Sequence, residues 1–253
     1  MTFTPAEKSP VRAEDIVVLL SGTVDTKEME LVERKDPSVR EKDYIESLSF
    51  WRGQGLKIVF CENSGWDLSK IRNEISGDAA VEILQFEGQN FPKNLGKGYG
   101  EMGIIKFAFA HSEFIGNARM VIKVTGRYRV RNFRTFLEFI LKHSGSYDLV
   151  CNLEKNLSWA DSRFFMAKRE FFSEYFFGYH QQIDDSKKSY FEHALAKAAL
   201  KGICDGGLTW SPLPAAPFYR GYYATANTMY SGNIIKHILK NKMQQAAFYF
   251  FRK

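Results

Sequence analysis

The sequence predicts an α/β fold, with a doubly wound and mostly parallel β-sheet and helices packed on its faces. Short apolar runs of strand length recur along the chain, at 15–21, 56–61, 81–86, 120–124 and 147–153. Segments between these runs carry apolar residues at helical spacing, most clearly at 132–143. Strands that alternate with helices are typical of βαβ units, whose right-handed crossovers make neighbouring strands parallel.

The first βαβ unit opens with the run at 15–21, which is continuously apolar from Ile16 to Leu20, as expected for a strand that is buried on both faces. Residues 24–42 are highly charged and contain Pro37, so we expect a mobile loop or a short helix there. Apolar residues at helical spacing then predict a helix over 43–53, with Asp43 as its N-terminal cap.

The later elements follow from the same patterns. Further helices are expected at 66–75, 102–111, 132–143 and 189–200, and an antiparallel strand at 161–166. The C-terminal third is irregular and contains a Tyr- and Pro-rich loop at 209–230. No repeat or linker divides the chain. We therefore expect a flexible leader at 1–14, one domain at 15–231, and a basic, aromatic helix and tail at 232–253.

The composition is that of a folded globular protein with an anionic partner. Of 253 residues, 45% are apolar and 25% are charged, which excludes a disordered, collagen-like or coiled-coil chain. Aromatic residues make up 15% and the net charge is +6, so nucleic acid, a membrane surface and a phosphorylated small molecule all fit as partners. The three cysteines are scattered, which predicts reduced thiols in a cytoplasmic protein.

Small and polar residues follow the first two strands, at the end of the strands where doubly wound sheets bind ligands. Ser21, Gly22 and Thr23 end the first strand and let a ligand approach the backbone closely. Glu62 and Asn63 follow the second strand and can hydrogen-bond a base or a ribose. Loops without a ligand are the alternative at both places. Neither a dinucleotide fingerprint nor a P-loop is present.

A glycine-rich, cationic segment at 93–101 lies between a predicted strand and a predicted helix. Lys97 and Gly98 precede that helix, and a helix N-terminus beside a lysine is a ready anion site. Tyr99 offers a stacking face, and Glu101 closes the segment. A solvated glycine loop is the alternative.

The end of the fourth strand is the strongest candidate. Lys123 falls among buried apolar residues, where a lysine is costly to bury unless it is paired. Thr125 and Gly126 form the exit of the strand, and Arg127 offers a bidentate fork to a phosphate or a carboxylate. A structural salt bridge is the alternative.

Two acids are candidates for a general base, Asp161 and Glu192, and a surface or capping role is the alternative for each. The five histidines do not fall at metal-ligand spacing. Neither H-E-x-x-H nor G-x-S-x-G occurs, and the paired acids at 184–185 lie in a polar loop. The sequence therefore predicts no metal site.

Taken in order, these motifs resemble a known family. They are the small-residue exit of the first strand, then ENSG at 62–65, KGYGE at 97–101 and KVTGRY at 123–128. The order is similar to that in small bacterial glycosyltransferases of lipopolysaccharide O-antigen and capsule gene clusters. The resemblance spans residues 15–200. It implies a GT-A-like domain, in which a Rossmann-like sheet holds a nucleotide-sugar.

By this resemblance, the exits of the first two strands would surround the nucleoside, and 97–101, with Thr125 and Gly126, would bind the donor. The GT-A class usually has an Asp-x-Asp metal motif at the end of a central strand, where this chain has Lys123 to Arg127. These two cations would then neutralise the diphosphate leaving group in place of Mg²⁺ or Mn²⁺. The departure leaves metal dependence open, and no cofactor is predicted.

The implied reaction moves a sugar to a hydroxyl of a glycan or lipid-linked oligosaccharide, with Glu192 or Asp161 as the base. Such an enzyme would work in the cytoplasm, at the inner face of the cytoplasmic membrane. The basic, aromatic segment 232–253 fits a peripheral contact with an anionic membrane. A helix packed on the domain, followed by a frayed tail, is the alternative.

The main rival is a non-catalytic α/β protein that binds a nucleotide or a nucleic acid. Basic charge and many Phe and Tyr would suit stacking on single strands. The aromatic residues fall mostly at helical or strand spacing, however, and no nucleic-acid-binding motif is present, so nucleic acid is not predicted as a partner. A nucleotidyltransferase would normally need acidic metal ligands, and a sulfotransferase would need a phosphate-binding loop after the first strand.

Overall fold

The computed structural model describes residues 11–27, 29, 32–143, 145–222, 228–229 and 234–251. Within these residues the architecture is α/β, with one central seven-stranded sheet. From edge to edge, with strands numbered along the chain, the sheet consists of β3 (Val81–Gln85), β2 (Lys57–Glu62), β1 (Ile16–Gly22), β4 (Met120–Thr125), β9 (Phe164–Lys168), β6 (Leu149–Val150) and β10 (Trp210–Ser211).

The pairing confirms a mostly parallel sheet. Strand β1 lies in the interior of the sheet and pairs in parallel with β2 and β4, and β2 pairs in parallel with β3. Strand β9 is antiparallel to both of its neighbours, β4 and β6, as the sequence predicts for this segment. Two short antiparallel pairs lie outside this sheet, β5 (Arg129–Val130) with the distant β11 (Tyr219–Arg220), and the hairpin of β7 (Leu153–Glu154) with β8 (Trp159–Ala160).

Helices connect the strands and cover the sheet. They are α1 (Pro37–Arg52), α2 (Ser69–Glu74), α3 (Gly96–His111), α4 (Glu113–Asn117), α5 (Phe133–His143), α6 (Arg169–Phe171), α7 (Phe191–Cys204) and α8 (Ile234–Phe251). None of the helices in the described ranges is long and apolar enough to cross a membrane.

Helix α1 begins at Pro37, earlier than the sequence predicts. Asp36 caps it, because its Oδ1 accepts a hydrogen bond from the backbone N–H of Ser38 at 2.9 Å. Proline suits the first helical position, where its missing N–H leaves no bond unmade. The predicted cap, Asp43, instead binds the Arg34 guanidinium at 2.6 Å. From Pro37 onward the structure therefore has the helix that was one of the two alternatives for 24–42, because a proline directly after a capping aspartate favours the start of a helix.

Helix α3 begins inside the glycine-rich segment, which was predicted to be a loop. Its first residue, Gly96, has a φ of +82°, and a Cβ there would lie 1.9 Å from Asp185 Oδ2. The two following turns therefore carry Lys97 and Glu101 on a rigid helix instead of a flexible loop.

Aromatic side chains fill the core on both faces of the sheet. One face buries Phe60, Phe133, Phe136 and Phe164, and the other buries Phe165, Phe171, Phe172, Phe176 and Phe191. The high aromatic content is thus largely explained by packing, as the spacing of these residues predicts.

The two ends of the chain are described in part. Residues 1–10 of the predicted leader lie outside the described residues, and Val11 is already buried in the core. Helix α8 packs on the domain through Phe248, whose ring contacts that of Phe139 at a centroid distance of 5.5 Å. Residues 232–233 and 252–253 of the predicted C-terminal segment lie outside the described residues.

Candidate functional site

A cavity of about 100 Å³ lies at the carboxyl ends of β1, β2 and β4. Parallel pairing brings these ends together, with Ser21 of β1 opposite Cys61 of β2 and Thr125 of β4. Seven predicted site residues line the cavity, namely Ser21, Thr23, Asn63, Lys97, Glu101, Thr125 and Arg127. Seven more line it that the sequence did not single out, namely Thr26, Met29, Val32, Arg40, Tyr44, Gly100 and Ile104.

Glu101 of α3 is the hydrogen-bonding centre of the cavity. Its Oε1 accepts bonds from Ser21 Oγ at 2.7 Å, Lys123 Nζ at 2.6 Å and Thr125 Oγ1 at 3.4 Å. Its Oε2 has no partner among the described residues. Burial favours a higher pKa for Glu101, but the Lys123 ammonium and the bonds from Lys123 and Ser21 together hold the pKa below its usual value. Glu101 is therefore an ionised acceptor at neutral pH.

Lys123 lies beneath the cavity and does not line it. Its side chain is fully buried, and its Nζ donates to Glu101 and, at 2.7 Å, to the carbonyl oxygen of Ser162. Helix α7 closes this side of the sheet, with the Phe191 ring 5.4 Å from Nζ. The sequence suggested either a diphosphate contact or a salt bridge for Lys123. The structure shows the salt bridge, so Lys123 acts on the cavity through Glu101.

Helix α1 holds the exit of β1. The N–H of Thr23 donates to the Tyr44 hydroxyl at 2.8 Å, and that hydroxyl donates back to the Thr23 carbonyl at 3.1 Å. Thr23 Oγ1 donates to Asn63 Oδ1 at 2.6 Å and so joins the exits of β1 and β2. Gly22 is needed beside them, because a Cβ there would lie 2.6 Å from the Phe60 ring. These predicted residues thus form one connected wall.

Arg40 of α1 is a lining residue that the sequence analysis missed. Its buried guanidinium donates from Nε to the carbonyls of Thr23 and Val24, at 3.0 Å each. Burial lowers the pKa of Arg40. The signal that could have revealed it is Asp36 followed by Pro37, since a helix that starts there places Arg40 in its first turn, against the exit of β1.

Arg127 lines the cavity with unused hydrogen-bond donors. The residue is buried, and its Nη1 donates to the carbonyl of Tyr222 at 3.0 Å. Within the described residues its Nε is buried without a partner, and Nη2 makes no bond there either. The buried hydroxyl of Thr26, also in the lining, likewise has no partner in the described part of the chain. Unpaired buried polar groups are rare, so this part of the cavity suits a hydrogen-bonding anion.

Lys97 is the third cation of the lining, after Arg40 and Arg127, and lies in the first turn of α3. Its ammonium makes no ion pair or hydrogen bond within the described part of the chain, and it is exposed. Gly98 and Tyr99 are placed differently from the prediction. A Cβ at Gly98 would lie 2.9 Å from Phe191, and the Tyr99 ring packs on that of His180 at 4.2 Å. Both therefore position α3 and do not line the cavity.

Glu62 is not among the residues that line the cavity. It binds the backbone of the two loops that follow β1 and β2. It is fully buried, and its Oε1 accepts from the backbone N–H groups of Val24 and Ser64, at 2.9 Å each, and from the Ser64 hydroxyl. These bonds give Glu62 a role in shaping the exits of β1 and β2, and its contact with a ribose stays a prediction.

The two predicted acids have different surroundings, and neither lines the cavity. Asp161 binds the Arg163 guanidinium through Nε at 2.7 Å and Nη2 at 2.5 Å, so its charge is compensated. Glu192 accepts a bond from Ser162 Oγ at 2.7 Å, and the same serine receives Lys123 on its carbonyl. Glu192 is therefore linked to the cavity through Ser162, Lys123 and Glu101.

Asp185 is a third acid at this end of the site. Its carboxyl group sits against Gly96, at the start of α3. Burial raises its pKa, the Lys97 charge opposes that shift, and the Glu192 charge reinforces it. In the sequence Asp185 lies in a polar loop, and only the packing of that loop against α3 brings it near the site.

Gly126 determines how closely the exits of β1 and β4 approach. Its N–H donates to the Ser21 carbonyl at 2.8 Å, and a Cβ would lie 2.5 Å from that oxygen. We expect Gly126→Ala to lower the free energy of unfolding by about 1–3 kcal/mol, measured by urea denaturation. Gly103→Ala in α3 is the matched control. A Cβ there meets nothing within 4 Å, and alanine favours a helix, so this variant should be unchanged or more stable. Equal losses would contradict the packing argument.

The described lining does not fit a divalent metal. Glu101 is the one carboxylate in it, and Lys123 already occupies its Oε1. Mg²⁺ prefers several oxygen ligands in octahedral geometry. No group of three or more His, Cys, Asp or Glu that could hold a metal occurs within the described residues.

Comparison with known proteins places the chain only loosely. No family model matches the sequence, and no curated protein matches it. HddC from Yersinia pseudotuberculosis is 15% identical with a TM-score of 0.39, over 64% of this chain and 79% of HddC, and a second HddC structure contains GMP-PN. The 4-diphosphocytidyl-2C-methyl-D-erythritol synthase from Anaerococcus prevotii is 10% identical with a TM-score of 0.42, over 92% of this chain and 100% of the synthase. Such values assign the chain to no family.

Proposed function

We propose that this protein is a glycosyltransferase that uses a nucleotide-sugar donor and a hydroxyl acceptor. The observation that supports it most directly is that the Nε of Arg127 and the hydroxyl of Thr26 have no partner among the described residues, and that both side chains line a cavity at the carboxyl ends of parallel strands. An arginine with free donors suits phosphate oxygens, and sheets of this type bind ligands at this edge.

The cations and polar side chains of the cavity lining complement the diphosphate and the nucleoside of such a donor. Arg127 and Lys97 would bind the diphosphate, and the linked side chains of Thr23 and Asn63 would contact the nucleoside. Glu101 would accept a hydrogen bond from a donor hydroxyl through Oε2. A cavity of about 100 Å³ is small for a whole nucleotide-sugar, so it would hold one part of the donor, and the rest would lie over the first turns of α3.

The proposed step is a displacement at the anomeric carbon. A bond forms from the acceptor oxygen to that carbon, and the bond from the carbon to the diphosphate oxygen breaks. The electron pair leaves with the nucleoside diphosphate, whose charge Arg127 and Lys97 would stabilise. A carboxylate takes the acceptor proton. Glu192 is the better candidate, because Arg163 holds Asp161 through two hydrogen bonds.

The proposed acceptor is a glycan or a lipid-linked oligosaccharide of a surface polysaccharide such as O-antigen or capsule. The support for this class is the order of the ENSG, KGYGE and KVTGRY motifs, each of which lines the cavity in part.

A thermal-shift series with UDP-, GDP-, dTDP- and CMP-sugars, each with EDTA and with Mn²⁺, tests the proposal. A ligand that binds only the folded protein raises Tm, by about 5 °C at a hundredfold excess over Kd for a chain of this size. We expect one diphosphate class to do so in EDTA. Stabilisation by the CMP-sugar alone would contradict a diphosphate site, stabilisation that requires Mn²⁺ would contradict the role of Arg127 and Lys97, and no shift would contradict donor binding.

A further inference from the structure

The outward side of helix α8 is the most exposed large apolar surface in the described part of the chain. The side chains that form it are between 48% and 83% exposed; they are Ile238, Leu239, Met243, Tyr249 and Phe250, and we call them the α8 face. Concentrations of exposed apolar side chains mark interaction surfaces in folded proteins. The proposed sugar transfer uses none of these residues.

The opposite side of α8 is anchored to the domain. Asn241 Oδ1 accepts from the N–H of Ala216 at 2.9 Å, and Gln244 Nε2 donates to Asn152 Oδ1 at 2.8 Å. Phe248, one turn further along, is buried. These contacts set the rotation of the helix, so the α8 face cannot turn inward without breaking them.

The net positive charge of the protein is carried by the last part of the sequence, which includes α8. No Asp or Glu follows Asp205, but six basic residues do, namely Arg220, Lys236, Lys240, Lys242, Arg252 and Lys253. Six is also the formal net charge of the whole chain, so the residues up to Asp205 are balanced in charge. Lys242 is itself exposed on α8, next to Met243.

We propose that the α8 face docks the protein on the surface of an anionic lipid bilayer. A helix with apolar and basic side chains on its outward side lies in the plane of the interface, with the apolar groups among the acyl chains and the cations at the phosphates. A second copy of this chain is a poorer occupant, because pairing through this face would bring two segments of like charge together. The inference does not depend on the proposed reaction.

Co-sedimentation of the full chain with vesicles tests the proposal. Wild type should bind vesicles of phosphatidylcholine with about 30% phosphatidylglycerol at least ~10-fold more tightly than phosphatidylcholine alone, and salt should weaken the binding. Leu239→Ser/Met243→Ser leaves the charge unchanged but removes two apolar side chains, so it should bind about 10-fold more weakly than wild type. Leu141→Ser, at an exposed leucine of α5, is the matched control and should bind like wild type.

Failure of wild type to bind, or equal binding by wild type and the double variant, would overturn the proposal. Dimerisation in sedimentation velocity that the double variant abolishes would assign the α8 face to a second copy instead. Circular dichroism melts establish that each variant is folded. Nucleotide-dependent shifts in Tm are measured without vesicles, so the donor-site proposal and the membrane proposal can fail separately.

Discussion

Arg127→Ala should lower sugar transfer by about 10³-fold and abolish the nucleotide-dependent rise in Tm. The alanine removes the guanidinium whose Nε and Nη2 have no partner in the described structure and which the donor diphosphate would occupy. The fold should persist, because the truncation costs the protein one charged hydrogen bond, to the Tyr222 carbonyl, worth about 1.5–3 kcal/mol. Turnover with the identified donor and the Tm shift are the two measurements.

Arg129→Ala is the matched control for this variant. Arg129 is a neighbouring, mostly buried arginine that pairs with Glu46 and is not among the cavity-lining residues. Its removal should leave donor binding unchanged. Arg127→Lys should recover only part of the activity, since an ammonium keeps the charge but lacks the planar fork. Full activity in Arg127→Ala would place the diphosphate elsewhere.

Glu101→Gln should lower the free energy of unfolding by about 3–5 kcal/mol, because it leaves the Lys123 ammonium buried without a compensating charge. Lys123→Met should cost less, since the Glu101 side chain that it leaves unpaired is 20% exposed and can be partly hydrated. The double variant Lys123→Met/Glu101→Gln should recover part of the loss. Urea denaturation at neutral pH measures all three values.

The pH dependence of stability provides a second measurement on the same pair. The pKa of Glu101 is lower in the folded protein than its ordinary value of 4.5. Its contribution to stability is therefore fully present above pH 4.5 and is lost as the pH falls through the folded pKa. Glu101→Gln should lack this part of the acid dependence. An unchanged acid slope in Glu101→Gln, or no recovery in the double variant, would contradict the charge-pair interpretation.

The sequence predicts that the ends of β1, β2 and β4 meet in one site. This prediction needs only the local apolar pattern and a general rule of parallel sheets. The apolar runs that became β1, β2 and β4 each end in small or polar residues. Parallel strands bring their carboxyl ends to one edge, so Ser21, Asn63 and Thr125 had to lie close together. The identity of Arg127 as a lining residue follows from the same rule.

Other features could not be predicted in this way, because they depend on contacts between distant segments. Arg40 lines the cavity because α1 packs on the exit of β1. The charged composition of 24–42 gives no clear apolar pattern from which the start of that helix could be predicted. Asp185 reaches the site because its loop packs on Gly96, nearly ninety positions earlier in the chain.

The sequence by itself determined the alternation of strands and helices, the sheet edge that carries the site and the concentration of positive charge after Asp205. Each of these follows from local periodicity or composition. Only the tertiary structure decided that Lys123 pairs with Glu101. Lys123 is therefore absent from the cavity lining, whereas Arg127 and Lys97 are part of it. The physical reason is that a lysine on a central strand must find a partner when helices cover the sheet, and the covering helix α3 supplies that partner.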